Sequence, residues 1–505
     1  MKARFIFTAI LSGAVITTSC SDFLNIRSEG TMPSSGTDYT KTENIFLPVS
    51  AAYASMRLRA EGQTQSYVAV MEVASDDARK GSTLEDGPAV GEFDDFTYTP
   101  ENTHIDAVWN YFFDIASAAT YAIESMDLYK EAITSDSGLQ QVEQCRGEAK
   151  IIRAYAYFNL VRLFGTVPKI DKSMTAAELA SMSVSSADEL YDFIYADLDF
   201  AIENVPESYT GYPGRYTKYT AMALKAKVAL YRKDWNEAAR QADAVIASGK
   251  YSLMSRFKDA FSVEGENGSE SLMEIQSSDL GQSTGDMPIC YYGFIQGPRG
   301  GVEGLQGWGY KVPTDELVAF FDSRGDAVRK KVTLLVVDQV TDEGDLITTS
   351  REKDEDGVEH NINDYYNGKV YVPSRYNTRS YNSYALDHNM RILRYADVLL
   401  IYAEAMASGA SITAVSGYTA DMALGEVRAR AGLAAVSASL DNIYDERRAE
   451  FALEENRFFD LVRTGKAAEV LGPLGFKAGK NEVFPIPSPE RKLNPNLPET
   501  PGYTY

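Results

Sequence analysis

The chain has 505 residues, 44% of them hydrophobic and 24% charged, which is enough apolar material for a sizeable core. A formal net charge of -23 tells against a nucleic-acid partner, because a phosphate backbone would be repelled, and it keeps the protein off anionic surfaces unless it is tethered there. Three cysteines with no CxxC leave neither a disulfide framework nor a zinc signature.

At the N-terminus, Lys2 and Arg4 form a basic end, Phe5 to Ile16 an apolar stretch, and Thr17-Thr18-Ser19-Cys20 a small-residue exit. The apolar stretch is too short to span ~30 Å of hydrocarbon as a helix, so residues 1–19 read as a secretory signal peptide. Small residues before a cysteine resemble the lipobox of bacterial lipoproteins, with Cys20 acylated and becoming the new N-terminus. Thr17 departs from the usual leucine there, and the alternative is an ordinary cut near Ser19. Several acyl chains on one cysteine anchor stably, whereas a single chain binds only marginally. Residues 20–40, polar and rich in Ser, Thr and Gly, are then a lipid-anchored tether.

Ile45, Val49, Ala52 and Met56 share one face of a short helix within 44–60. Residues 61–102 lose helical period, carry Gly62, Gly81, Gly87 and Gly91, and read as a long loop. Helix resumes over 105–130, with Val108, Phe112, Ile115 and Ala119 facing inward. The stretch 139–165 organises the rest. Leu139, Val142, Ala149, Ile152, Ala156 and Leu163 recur at helical steps, and from Ile151 onward Tyr155, Phe158, Leu160, Val161 and Phe164 make the other faces apolar too. Such a helix must be covered on several sides. Asp136 or Ser137 caps its start, and Gly165 followed by Pro168 stops it.

Ser186 or Asp188 opens another helix through Asn204, closed by Pro206. Helices over 219–231 and 235–248 form a tight pair in which Ala223, Ala226 and Ala229 face Ala238, Ala239 and Ala242. Alanines at the crossing, with Trp235 after the turn, are the unit of a tetratricopeptide repeat. A further pair follows over 392–407 and 419–431, and a helix over 442–464 closes the series. Between them, residues 251–385 are dense in Tyr, Gly and Asp, with a strand-like run VTLLVV at 332–337. The fold class is therefore mainly α: a tetratricopeptide-like helix-pair scaffold over 44–60, 105–250 and 391–464, with large irregular loop-rich insertions at 61–102 and 251–385 and a few short strands, all in one domain over 41–505. Insertions in repeat proteins gather on one face, often the binding face.

Chemistry-bearing motifs are sparse. GQSTG at 281–285 matches the GxSxG nucleophile elbow with Ser283 as nucleophile, and LMEIQ at 272–276 supplies a strand before it, but Pro288 falls where the following helix should run. The histidines, His104, His360 and His388, are isolated, and the acidic runs at 342–345 and 353–357 lack the alternating ligands of a calcium loop. No cofactor, metal or catalytic residue is expected. What remains is aromatic surface, from 32 Tyr and 22 Phe, many of the tyrosines in the insertions. A sugar ring lays its C–H face on an aromatic ring and takes hydrogen bonds from polar neighbours, and a few such anchors carry most of an affinity. The leading group is Tyr291, Tyr292, Trp308 and Tyr310, with Arg79, Asp77 and Tyr98 as polar partners; the alternative is that each tyrosine packs its own loop. Glu450 and Glu454, one turn apart, repel. With Arg447 and Arg457 nearby to offset them, this reads as a structural ion-pair network and not an acid/base pair.

Four ordered stretches carry a family likeness: RGEAKIIRAYAYFNLVRLFGTVP (146–168), RILRYADVLLIYAEA (391–405), DERRAEFALEENRFFDLVRTG (445–465) and FPIPSPERKLNPNLPETPGY (484–503). Behind a Cys20 leader they resemble the SusD/RagB family, outer-membrane nutrient-binding lipoproteins of Bacteroides-type bacteria. Glu499-Thr500 departs from the Gln-Asn common in the family ending. The resemblance implies four tetratricopeptide helix pairs cradling an irregular ligand-binding half. It implies a lipid-anchored position at the cell surface of the outer membrane and a SusC-like TonB-dependent barrel transporter as partner, over which the protein sits as a lid. The ligand it implies is an oligosaccharide or polysaccharide. Family ligand residues lie in variable loops, so only Cys20 carries over by position. The expected function is glycan capture and delivery to the transporter, with no chemistry. The alternatives are a peptide ligand or a purely structural lid and, more remotely, a Ser283 hydrolase.

Overall fold

The computed structural model describes residues 37–58, 60–277, 290–302, 305–353, 356–376 and 388–505; the leader with Cys20, most of the tether, and Ser283 lie outside the described residues. The organising helix runs Asp136–Phe164. Its cap is Ser135, one residue earlier than Asp136, with the hydroxyl accepting from the Gly138 N–H; Gly165 at φ 74 ends it, its N–H returning to the Val161 carbonyl. It is covered by Thr103–Ala132 on one side and Ala187–Asn204 on another. Gly147 marks the second crossing: a Cβ there would lie 2.4 Å from Val205 Cγ2. That close approach explains a glycine where alanine would favour the helix by about 1 kcal/mol.

The succession continues through Lys218–Arg232, Trp235–Ala247, Tyr395–Ala407, Ala420–Arg430 and Leu440–Phe451, each helix packed on its predecessor. Local chemistry sets the starts. Ser186 with Glu189 and Thr217 with Thr220 form reciprocal caps, and Asp234 and Thr419 cap with their side chains. Lys233 takes the left-handed turn at φ 62 that joins the tight pair. All six alanines of that pair are fully buried, so the two backbones close on each other. The fold is mainly α and tetratricopeptide-like, and among the described residues no helix is long and apolar enough to cross a membrane.

Three expectations change. The stretch 61–102 is not all loop: Glu61–Val68 is helical and runs into a π-helical turn, Ala69–Val73, every residue of which is buried. Its run YVAVMEV is apolar but for Glu72, so no period betrays it. The helix expected over 392–407 begins at Tyr395, because Met390–Arg394 pairs antiparallel with Ser271–Ile275. The closing helix is broken into Leu440–Phe451 and Arg457–Arg463, with Leu453 (φ 65) and Glu455 (φ 55) left-handed between them.

Short antiparallel strand pairs organise the insertions. Ser271–Ile275 with Met390–Arg394 closes the second insertion at its base; Leu334–Val336 with Tyr365–Asn367 braces it internally. Ala78–Gly81 with Tyr310–Pro313 ties the first insertion to the second. Leu305, Val312, Leu335, Val337, Ile347 and Tyr366 give the second insertion a small core of its own.

Candidate functional site

The strands Ala78–Gly81 and Tyr310–Pro313 place the two insertions side by side, with Gly81 opposite Tyr310 and Arg79 opposite Val312. Gly81 and Gly309 both have positive φ, and a Cβ on Gly81 would sit 2.3 Å from the Gly309 carbonyl oxygen. The Ser82 N–H donates to that oxygen at 2.7 Å. The chain before Tyr310 folds back on the short helix Tyr292–Gln296: the Trp308 N–H donates to the Phe294 carbonyl (3.1 Å) and the Gly307 N–H to the Pro298 carbonyl (2.7 Å). Trp308 is thus fixed edge-on between Phe294 (5.9 Å between centroids) and Tyr310 (6.5 Å), and stays partly exposed.

Charge lies in the same layer. Arg299, about one-third exposed, pairs with Asp86 at 2.7 Å, and its N–H donates to the Tyr366 hydroxyl at 3.2 Å. Partial burial raises Asp86, but hydrogen bonds from Ser82 and Thr83 and the Arg299 charge outweigh it and hold the carboxyl below its ordinary value. Arg79 on the neighbouring strand is exposed.

The other expected site residues go elsewhere. Tyr310 and Tyr291 are buried, the latter with 9% of its surface exposed. Tyr292 is internal: its hydroxyl donates to Glu455, receives from Lys311 Nζ at 3.2 Å, and its ring meets Tyr67 at 6.4 Å. Asp77 has no exposed surface and pairs with Arg448 at 2.7 Å. Tyr98 packs between Phe93 and Phe484, 5.1 Å from each, and accepts from Asn481 at 3.2 Å. Asp77 and Tyr98, and the buried Tyr291, Tyr292 and Tyr310, are therefore corrected from ligand contacts to interior groups. Irregular backbone is not exposed backbone here, because the insertions dock on the C-terminal helices. Arg299 and Asp86 were missed; the glycines at 297, 300, 301, 307 and 309 around Arg299 and Trp308 were the available signal.

Beneath this layer lies the expected ion-pair network, with different partners. Glu450 is paired by Arg394 (2.9 Å), Arg430 and Arg329 (3.3 Å), and Glu454 by Lys369 (2.7 Å) and Arg394 (2.8 Å). Arg447 instead holds Asp397 and Asp460, and Arg457 holds Asp76. Burial raises Glu450, but Arg430, Arg394, Arg329 and Lys369 override it and bring its carboxyl down to about 2. Glu72, in the π-helical turn, is the opposite case: it is fully buried, neither oxygen has a partner at normal hydrogen-bonding geometry, and burial pushes its pKa well up. Two cavities hold about 30 Å³ each, room for one or two waters and not for a sugar ring. Among the described residues, no group of three or more His, Cys, Asp or Glu side chains is placed to hold a metal ion.

A helical-repeat frame carrying two docked insertions, with a partly exposed indole beside a charged pair, defines a class of frame-and-insertion proteins. Residues 336–503 match the SusD family, and residues 22–230 match a SusD-like family described as starch-binding and associating with the outer membrane. The chain is 30% identical to SusD-like protein P2 of Formosa agariphila over 453 residues, covering 82% of this chain and 83% of that one. It therefore belongs to the SusD family. Among solved structures, a laminarin binding SusD-like protein matches with TM-score 0.76 and 27% identity, covering 92% of this chain and 99% of that one. Surface glycan-binding protein A from Bacteroides thetaiotaomicron, in complex with laminarihexaose, matches with TM-score 0.73 and 22% identity over 91% and 99% of the two chains, a likeness of fold.

Proposed function

We propose that this protein captures oligosaccharide or polysaccharide at the cell surface, held to the outer membrane by lipid on Cys20, and passes it to a SusC-like TonB-dependent barrel without altering it. The observation that carries the reading is the match, across nearly the full length of the partner chain, to a SusD-like protein named for binding laminarin. A glucan of that kind is the first ligand to try. The face we assign to it is Trp308 with Arg79, Arg299 and Asp86. An indole offers a flat area at low entropic cost, and the Arg299–Asp86 pair supplies both donors and acceptors to sugar hydroxyls. Neither of the two cavities takes a sugar ring, and the face we assign is at least partly exposed.

The test is calorimetric titration against laminarin, laminari-oligosaccharides and starch, with Trp308→Ala beside the wild type. Loss of affinity in Trp308→Ala at unchanged thermal stability supports the site. Unchanged affinity removes the site while leaving the function. Absence of binding to every polysaccharide, with transporter assembly retained, turns the reading toward a structural lid.

A further inference from the structure

One of the two small cavities, about 30 Å³ and open on one side, lies where Tyr67, the frame helices and the base strand of the second insertion meet. Its walls come from the helices Asp136–Phe164 and Lys218–Arg232, the strand Met390–Arg394, and the turn at 452–456. Arg162 lines it. Among the described residues no carboxylate lies within ion-pair distance of this guanidinium: Nε and Nη2 both donate to one atom, Asn159 Oδ1, at 3.1 and 2.7 Å. The ring of Phe459 lies 4.0 Å from the guanidinium carbon and that of Phe158 5.2 Å. Ring faces attract a cation, but they supply no counter-charge.

Two further cations are on the wall: Arg391, engaged by Glu266 at 3.4 Å and by the Asn389 and Ser262 carbonyls, and Lys227, buried in the same cavity. Its Nζ donates to Asp397 Oδ2 (2.8 Å) and Asn456 Oδ1 (2.9 Å), which leaves one N–H to spare. Asp397 is itself shared with Arg447 at 2.8 Å. Burial, and then the charges of Arg162 and Arg447, hold Lys227 below its ordinary value against the pull of Asp397. The charge on Arg162 is thus felt at Lys227. The two acids on the wall are already engaged: Glu454 by Lys369 and Arg394, Glu455 by Lys311 and the Tyr292 hydroxyl. Tyr155 also lines the cavity; burial pushes its phenol up to about 12, so it remains a donor at neutral pH.

We propose that this cavity binds a small monovalent anion of halide size, held between Arg162 and Lys227. Partly buried positive charge without a counter-ion is costly, and charge-assisted hydrogen bonds from two cations to one ion offset that cost. The narrow space, about 30 Å³, suits a species close to water in size better than sulfate or a sugar carboxylate. A bound ion fastens the frame helices to the turn that carries Glu455, whose partner Lys311 directly follows Tyr310.

Crystals soaked in sodium bromide and measured at the bromine edge should show an anomalous peak between Arg162 and Lys227. Thermal melts at constant ionic strength should rise by roughly 1–3 °C, saturably, when chloride replaces gluconate. Arg162→Met should abolish that rise. Absence of a bromide peak in the wild type, which requires no variant to fold, overturns the proposal. So does a halide-dependent rise that is equal in Arg162→Met.

Discussion

The frame's alanine crossing and the seam beneath the insertions are both buried, yet different forces hold them. In the frame, the pair Lys218–Arg232 and Trp235–Ala247 meets through alanines with no exposed surface. At the seam, fully buried Glu446 and Glu450 face Arg329, Arg394 and Arg430, which come from separate segments. Apolar contact is tolerant of geometry and indifferent to pH. Buried ion pairs add little net stability when intact and cost heavily when broken, so the seam is where this molecule specifies how its insertions dock.

The largest break in that comparison is Glu450→Ala, which leaves three guanidiniums without their shared carboxylate and should cost about 3–5 kcal/mol in denaturant unfolding at pH 7. Because the folded pKa of Glu450 is depressed to about 2, its contribution is present above the unfolded value of ~4.3 and is lost as pH falls toward about 2. The gap between variant and wild type should therefore close in melts at acid pH.

Glu72 sharpens the contrast with the opposite sign. Burial raises its folded pKa, so the folded state binds the extra proton, and each pH unit above ~4.3 costs up to about 1.4 kcal/mol until the folded pKa is passed. Glu72→Gln should flatten that slope and stabilise the protein at neutral pH, as read from melts across pH 5–8. Ala226→Leu, at the alanine crossing, should cost about 1–3 kcal/mol by overpacking, by the same amount at pH 4 and pH 7. The smallest stability effect belongs to the surface. Trp308→Ala should leave the melting temperature within about 1 °C while weakening glucan binding roughly tenfold, whereas Tyr98→Phe should leave binding untouched.

The same division governs what the sequence made legible. Frame helices announced themselves because their determinants are local: apolar spacing along Asp136–Phe164, the Ser186 cap, the Gly165 stop. The break at 452–456 did not, because the left-handed Glu455 is held by Lys311, 144 residues away in sequence, and by Tyr292. Trp308 and Arg79 were found in exposed or partly exposed positions. Asp77, Tyr98 and Tyr292 were misread because their burial is decided by docking against residues such as Arg448, Phe484 and Glu455. No local pattern encodes that.

The strand pair at the base of the second insertion, Ser271–Ile275 with Met390–Arg394, makes the segment between them a cassette. Its two ends are already joined, so swapping in a sequence of different length changes the closure entropy only slowly. The exchange nevertheless carries a toll. Lys311, Arg329 and Lys369 lie inside the cassette and neutralise Glu455, Glu446, Glu450 and Glu454 outside it. A transplanted loop set that omits these three cations would strand acids within the host, so a chimaera should fold only if it brings its own positive charges to those positions.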